Sequence, residues 1–311
     1  MQTASQSSTS RSQSLTSDFL EDVAYSAPAL STVVWRRFRQ DYIALAALVI
    51  LIVLIILALA APLVSAYVTH VSPSRQDLLH ILRPPGAPHY LGTDELGRDV
   101  LTRLIYGARV SLGVGGLTVA IALTLGALLG SLAGYHGGAV DAVIMRSVDV
   151  LQSIPSLFLL IMISVIFNVG PVSLALLIAS LNWTGISRLV RAEVLSLRER
   201  DFVVAARALG EGSFRIILTH ILPNVVPTMI VWATLGVGNV ILVEAALSYL
   251  GLGVQPPTPS WGNMLTNAQQ YFFHSITLVI APGVAIFLTV FSINLVGNAL
   301  RDALDPRLGQ H

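Results

Sequence analysis

Long stretches without a single charged side chain dominate this sequence and exclude most soluble folds. The first stretch runs from residue 42 to residue 69, and its centre, residues 50–59, is almost purely aliphatic. A helix needs about 20 apolar residues to cross the hydrocarbon core of a bilayer. Only 11% of the residues are charged, whereas a soluble domain carries about 25%. The sequence therefore predicts an all-α integral membrane protein.

About six membrane-spanning helices are predicted from these stretches. A long apolar run over residues 150–187 is interrupted by Asn-Val-Gly-Pro at 168–171, and this turn signal divides it into two helices. The six predicted spans are residues 42–69, 110–140, 150–167, 172–188, 225–246 and 276–299.

The arginines predict the orientation of the chain. Six crossings place both termini on the same side of the membrane. Thirteen of the 18 arginines lie before residue 41, between the second and third spans, within 188–223 or after residue 300, and five lie on the other side. Because positive residues accumulate on the cytoplasmic side, both termini are predicted to be cytoplasmic.

The chain accordingly divides into four parts. Residues 1–40 are a cytoplasmic, Ser/Thr-rich tail with a short basic segment, predicted to be disordered. Residues 41–108 hold the first transmembrane helix and an extracytoplasmic loop. Residues 109–301 hold the other five helices and a polar, arginine-rich loop at about 193–223. Residues 302–311 form a cytoplasmic C-terminus.

Two missing residue types exclude several activities. The chain has no cysteine, and all 18 basic residues are arginine, so it has no lysine. A phosphate-binding P-loop requires a lysine that reaches the nucleotide phosphates. Any ATP-driven work must therefore use ATP-Mg bound by a separate chain, and no cofactor or metal is expected here. The net charge of +1 gives no reason to expect nucleic-acid binding.

Three glycines in the second span predict close helix packing. Gly126, Gly130 and Gly134 recur every four residues, so they form one stripe on a helix. Small residues at this spacing let a second helix approach closely within lipid. The other interpretation is that glycine is simply common in membrane helices.

The loop at 193–223 predicts two short helices at the cytoplasmic surface. Good helix formers occupy residues 201–209, and Gly210 is placed to end that helix. Ser213 is placed to cap a second helix over 214–221, which Pro223 would stop. The surface of these helices combines Phe202, Phe214 and arginines. Such a surface suits docking into another protein's groove or lying on lipid headgroups.

The same loop resembles the cytoplasmic loop motif of ABC-type import permeases. That motif reads Glu-Ala-Ala, three residues, Gly, nine residues, Ile-x-Leu-Pro, and here Val204 replaces the Glu and His220 the Ile. In that family the loop forms the coupling helix that docks on the ATP-binding subunit. The resemblance implies a coupling role for Asp201, Ala205, Ala206, Arg207, Gly210, Phe214, Leu222 and Pro223.

Two further stretches narrow the resemblance. Residues 91–112 (LGTDELGRDVLTRLIYGARVSL) and 244–264 (EAALSYLGLGVQPPTPSWGNM) are typical of peptide importers. Together the match covers roughly residues 40–305 and resembles the C-type permease of dipeptide/oligopeptide ABC importers. It implies a type I ABC importer permease fold over 109–301 and a bacterial inner-membrane location. It also implies a second permease as heterodimer partner, two ATP-binding subunits and an extracytoplasmic peptide-binding protein.

Two other functions remain open at this point. A stand-alone secondary transporter or channel would need internal repeats or broken mid-membrane helices, and neither is evident in the sequence. A membrane enzyme would need a catalytic motif, and no G-x-S-x-G or H-E-x-x-H occurs.

Charges at the span ends are predicted to be structural. Glu244 is expected at the outer boundary, and Asp149 is expected to pair with Arg146 three residues away. Asp94, Glu95, Arg98 and Asp99 are expected to pair locally in a solvated loop. His70, His80 and His89 share that loop, but spacings of ten and nine residues do not favour a metal site.

Overall fold

The described part of the chain is helical, with two isolated β-bridges in loops. The computed structural model describes residues 30–304, apart from Asn168 and Asn267. The predictions for the Ser/Thr-rich tail, for most of the C-terminal segment and for Asn168 in the 168–171 turn therefore lie outside the described residues.

The helices are numbered in chain order. They are α1 (Leu30–Phe38), α2 (Tyr42–Leu59), α3 (Ala61–Val64), α4 (Val100–His136), α5 (Gly138–Gln152), α6 (Ser156–Ile166), α7 (Pro171–Leu197), α8 (Asp201–Ala208), α9 (Ser213–Ile216), α10 (Leu222–Tyr249), α11 (Trp261–Leu265) and α12 (Thr277–Leu304). A π-helical turn at Ser65–Thr69 follows α3, another at Ile217–Ile221 joins α9 to α10, and a 3-10 turn covers Ala268–Tyr271.

The helix lengths agree with the prediction of about six spans. Within the described residues, five helical runs are long and apolar enough to cross a membrane, namely α2, α4, α7, the run from α9 through α10, and α12. Helices α5 and α6 add a sixth crossing if the pair is one span, bent by 78° at its break.

Several predicted boundaries are wrong in the same direction. Helix α4 begins ten residues before the predicted span, where the Asp99 side chain caps it by accepting from the Thr102 N–H at 2.7 Å. Helix α7 continues nine residues beyond residue 188 and reaches Leu197. An apolar run records only the part of a helix that lies in lipid, so the sequence pattern assigns these polar extensions to loops.

The third predicted span is also wrong, because it is a broken helix. Helix α5 starts at Gly138, twelve residues before the predicted start, and the chain bends between Gln152 and Ser156. Pro155 explains the break, since proline lacks an N–H group and disfavours a helical conformation at the preceding residue.

The glycine stripe of α4 faces α7 at close range. A methyl group on Gly130 would lie 2.5 Å from the Ser187 carbonyl oxygen, and one on Gly134 would lie 2.9 Å from the Arg191 carbonyl oxygen. A methyl group on Gly126 would overlap the Ile186 side chain. The backbones of α4 and α7 therefore approach so closely that only glycine fits at these positions.

The bundle has two distinct ends. We call the end that carries residues 198–212 the loop end, and it also includes the Gly137 turn between α4 and α5, helix α1 and the last turn of α12. Phe38 and Ala44 pack there against Ala299 and Ala303. We call the opposite end, formed by residues 65–99 and 250–276, the cap end.

A buried ion cluster organises the cap end. Arg98 donates to Asp94 at 2.6 Å and to Glu95 at 2.9 Å, and Arg103 lies 3.4 Å from Asp94. The predicted local pairing is confirmed, but the predicted solvated loop is wrong, because Asp94, Arg98 and Arg103 are buried. Met264 of α11 lines a small cavity together with these side chains.

Each of two loop histidines contacts a carboxylate. His89 lies 2.9 Å from the buried Asp99, and His80 lies 2.8 Å from Asp77. The hydrogen bond with His80 lowers the pKa of Asp77 below its ordinary value. The contact of His89 with Asp99 holds the cap-end loop against the start of α4, whereas the contact of His80 with Asp77 lies within the loop.

Glu244 lies in a buried polar network near the cap end. Its carboxylate accepts from Ser111 at 2.9 Å and from Ser248 at 2.7 Å. The Trp261 N–H donates to Ser111 at 3.3 Å, and the Trp261 indole donates to the Leu104 carbonyl at 3.0 Å. This network ties α4, α10 and α11 together.

Candidate functional site

The polar segment between α7 and α10 begins with the short helix α8 and a tight turn. Helix α8 is followed by Gly210, whose φ of +86° lies in the left-handed region. The Glu211 N–H donates to the Ala206 carbonyl at 3.1 Å, and the Gly210 N–H donates to the Arg207 carbonyl at 3.0 Å. These two bonds form a Schellman motif, which ends a helix at a residue with positive φ. Gly210 therefore ends α8, as the sequence predicted.

The second short helix predicted here is not a separate element. Gly212, not Ser213, occupies the N-cap position of α9, and no side chain caps this helix. The chain passes from α9 through the π-helical turn directly into α10, with Pro223 in the first turn of α10. The prediction that Pro223 stops a helix is wrong, because proline is well tolerated in a first turn.

One face of α8 and α9 is fixed to the bundle. Val203 and Ala206 of α8 and Ile216 of α9 are buried in an apolar cluster with residues of α7 and α10. The other buried members of this cluster are Ile186, Val190, Val194, Ile221 and Val225. A displacement of α8 must therefore move the loop-end halves of α7 and α10 or disrupt this packing.

The opposite face is apolar and exposed. Phe214 is 73% exposed, Leu209 is 84% exposed and Phe202 is 44% exposed. The Arg207 guanidinium lies 5.5 Å from the centre of the Tyr135 ring, an arrangement typical of a cation–π contact. Large exposed apolar side chains are typical of surfaces that dock on another protein or on a membrane. We call Phe202, Leu209 and Phe214 the apolar face.

The other predicted coupling residues lie in the same small region. Asp201 starts α8, and Asp201, Ala205 and Pro223 are exposed or half-buried, whereas Ala206 is buried. Leu222 lies beside Pro223 in the first turn of α10. The sequence reasoning missed Val203 and Ile216, although their burial follows from a helical apolar pattern. It also missed Glu211, whose carboxylate lies 3.1 Å from His220 and 3.6 Å from Arg215.

Salt bridges link α7 to the broken span beside the loop. Arg191 donates twice to Asp141, at 2.5 and 2.6 Å. Arg188 donates to Asp149 at 2.5 Å, so the predicted pairing of Asp149 with Arg146 is wrong. Helix geometry allowed the nearer pair, but α5 and α7 pack side by side and bring Arg188 to Asp149.

The loop is thus joined directly to α4, α7 and α10, and through α7 to α5. Arg198 donates to the Gly134 carbonyl at 3.0 Å, which connects the loop to the end of α4. Helix α7 contacts α4 along the glycine stripe and holds α5 through its arginines. This arrangement can transmit a displacement of α8 to α4, α5, α7 and α10 together.

Fold and loop together define a class of protein. An all-helical bundle of membrane spans, with a polar loop anchored to several of them at one end, fits a transport permease. The chain belongs to the family described as binding-protein-dependent transport system inner membrane component, whose model matches residues 126–310. A second model, described as the N-terminal TM domain of oligopeptide transport permease C, matches residues 30–85.

Relatives with assigned names match nearly the whole chain. The dipeptide transport system permease protein DppC of Alkalihalophilus pseudofirmus is 41% identical, over 91% of this chain and 92% of the relative. The di/tripeptide transport system permease protein DppC of Pseudomonas aeruginosa is 43% identical, over 88% and 91%. The oligopeptide transport system permease protein OppC of Bacillus subtilis is 37% identical, over 88% of each chain.

A solved structure shares the fold. A chain of the MetNI methionine ABC transporter in an inward-facing conformation matches with a TM-score of 0.50 and 18% identity, covering 66% of this chain and 97% of that one. The protein is therefore a multi-pass, non-catalytic permease subunit of an ABC importer. A permease of this kind works with separate ATPase and permease subunits.

Proposed function

We propose that this chain is the C-type permease of a peptide importer in a bacterial inner membrane. It lines half of the translocation pathway, and a second, different permease lines the other half. Two ATP-binding subunits supply the energy by hydrolysing ATP-Mg, and an extracytoplasmic binding protein delivers the peptide. The peptide cargo is supported by relatives whose names specify dipeptide, di/tripeptide and oligopeptide transport.

The orientation proposed is cytoplasmic for both termini. Helix α1, the loop at 198–212 and the end of α12 share the loop end, and arginines are concentrated in these segments. The positive-inside rule then assigns the loop end to the cytoplasm. An ATP-binding subunit is available on that side only.

The apolar face is the observation that supports coupling of the loop to an ATPase. Phe202, Leu209 and Phe214 are exposed on α8, the adjoining turn and α9, whose other face is buried against α7 and α10. A groove in the ATPase that closes on these side chains would bury them, and its movement would pass to the bundle. Closure of the ATPase pair would rock the spans as rigid bodies.

Replacing Phe214 tests this coupling directly. We expect Phe214→Ala to weaken ATPase docking about five- to thirtyfold, because a buried aromatic anchor contributes more than about 1–2 kcal/mol to an interface. The measurement is the affinity of the purified ATPase for the permease pair in nanodiscs, followed by peptide-stimulated ATP hydrolysis in the assembled complex.

Phe273→Ala is the matched control. Phe273 is 94% exposed but lies at the cap end, so its loss removes the same side chain from the opposite side. We expect wild-type docking for this variant. If Phe214→Ala also binds and stimulates the ATPase as the wild type does, the coupling role of the apolar face is refuted.

A further inference from the structure

A polar cleft opens where the third span is broken. It has a volume of about 410 Å³ and lies between α5, α6, α7 and α10. Gln152 and Ser156 flank the break, Asn182 and Thr184 enter from α7, and Trp232 closes the cleft from α10. The proposed coupling site lies elsewhere and uses none of these residues.

The cleft lies deep within the membrane. Asn182 is eleven residues from the start of α7, or about 17 Å at 1.5 Å per residue, and the hydrocarbon core is about 30 Å thick. Trp232 is ten residues from the start of α10, or about 15 Å. Backbone that is not helical at such depth is tolerated where it is buried in protein or lines a water-filled cavity. The open cleft beside the break fits the second condition.

The chemistry of the cleft is polar but uncharged. The Gln152 amide donates to Thr184 at 3.1 Å, and the Asn182 amide donates to the Ile178 carbonyl at 3.0 Å. Neither amide oxygen has a hydrogen-bond donor among the described residues. The nearest charges towards the loop end, Asp149 and Arg188, neutralise each other in a salt bridge.

The polar, uncharged lining of the cleft indicates which class of ligand fits it. An unpaired amide oxygen accepts a hydrogen bond from an N–H group, and the Trp232 indole offers an apolar surface to a side chain. Charged peptide termini would require charged partners, which the cleft lacks among its described lining residues. The backbone N–H of a peptide bond meets the requirement, because it is a neutral donor that peptides share whatever their side chains.

We propose that this cleft is a cargo-contact site in the translocation pathway, in which the Asn182 amide oxygen accepts a hydrogen bond from a backbone N–H of the passing peptide. The inference rests on the proposed function, because it takes a peptide as the cargo. It adds the group that is recognised, namely the peptide bond rather than the termini. Such recognition explains how one pathway accepts peptides of different sequence.

The test changes the substrate and the chain, separately and together, and compares the effects on uptake. The complete transporter, with its partner permease, ATPases and binding protein, is reconstituted in liposomes, and the KM for uptake is measured. The substrates are trialanine and an analogue in which one amide at a time is replaced by an ester, which removes the N–H. The chain carries either Asn182 or Asn182→Ala. The comparison separates the cleft from the binding protein, because the binding protein meets each substrate identically in either background.

Loss of one neutral hydrogen bond should raise the KM for trialanine about three- to tenfold in Asn182→Ala. For one of the two ester analogues, Asn182→Ala should have no further effect. Asn294→Ala is the matched control, since Asn294 on α12 makes the same bond to the carbonyl four residues earlier, at 2.9 Å, and does not line the cleft. It should leave the KM values unchanged.

If Asn182→Ala changes the KM equally for the peptide and for both esters, the inference is overturned. That result would indicate that the cleft contacts the second permease and not the cargo. An unchanged KM for trialanine would overturn it too. In both cases wild-type peptide uptake leaves the proposed function intact. If the wild-type complex takes up no peptide, the proposed function fails and the inference fails with it.

Discussion

The buried ion cluster of the cap end and the apolar face of the loop end satisfy their side chains in opposite ways. At the cap end, the charged groups of Asp94, Arg98 and Arg103 are buried and paired within the chain. At the loop end, Phe214 and Leu209 are largely exposed. The charges of the buried ion cluster are therefore satisfied within the chain, whereas the side chains of the apolar face are left largely uncovered by the described part of the chain.

We therefore expect substitutions in the ion cluster at one end of the bundle to change the stability of the chain, and substitutions in the apolar face at the other end to change its binding to a partner. Removing one member of the buried ion cluster at the cap end leaves a buried charge without its partner and should destabilise the chain. Removing a group from the apolar face should leave the isolated chain intact and affect only the assembled complex. Three measurements of unfolding test this separation, from the largest expected effect to the smallest.

The largest effect is expected at the cap end. Arg98→Ala should lower the free energy of unfolding by about 3–5 kcal/mol, because it leaves the buried Asp94 without its closest partner. Denaturant unfolding of the purified chain in detergent measures this change. The control is Glu199→Ala at the loop end, where the carboxylate is 73% exposed and pairs with Arg198. That variant should lose less than about 1 kcal/mol, and equal losses would contradict the comparison.

An intermediate effect is expected between the ends, where α4 meets α7. Gly130→Ala should cost about 1–3 kcal/mol, because the added methyl group would lie 2.5 Å from the Ser187 carbonyl oxygen and force the helices apart. Gly116→Ala on the same helix has no atom within 4 Å of its new methyl group and should be nearly neutral. Thermal unfolding of both variants compares them, and a matching loss in Gly116→Ala would argue against close packing as the cause.

The smallest effect is expected on the exposed side of α8. Val204 is 48% exposed, and Val204→Ala should change the free energy of unfolding by less than about 0.5 kcal/mol. Its neighbour Val203 is fully buried, and Val203→Ala should cost about 1–3 kcal/mol by loss of buried apolar surface. Urea unfolding of the two variants discriminates between the faces of one helix. Indistinguishable values would mean that α8 is not anchored by one side.

The sequence predicts spans better than helices. Apolar runs identify where the chain crosses lipid, but they miss the first ten residues of α4, the last nine of α7 and the first twelve of α5. The charged residues that bound these runs, Arg109, Arg188 and Asp149, lie inside α4, α7 and α5, so the helices continue past the ends of the runs. Gly210 is predicted correctly because a positive φ after a helix is a local requirement that glycine meets best.

The sequence by itself determined that the chain crosses a membrane several times, that it has no lysine for a P-loop and that a glycine ends α8. Each of these depends on residue type or on neighbours a few positions apart. Only the tertiary structure decided that Arg191 pairs with Asp141, fifty positions away, that Arg98 is buried, and that Gln152, Asn182 and Trp232 line one cleft. Such contacts exist only after the helices pack, because no local pattern in the chain specifies which helices become neighbours.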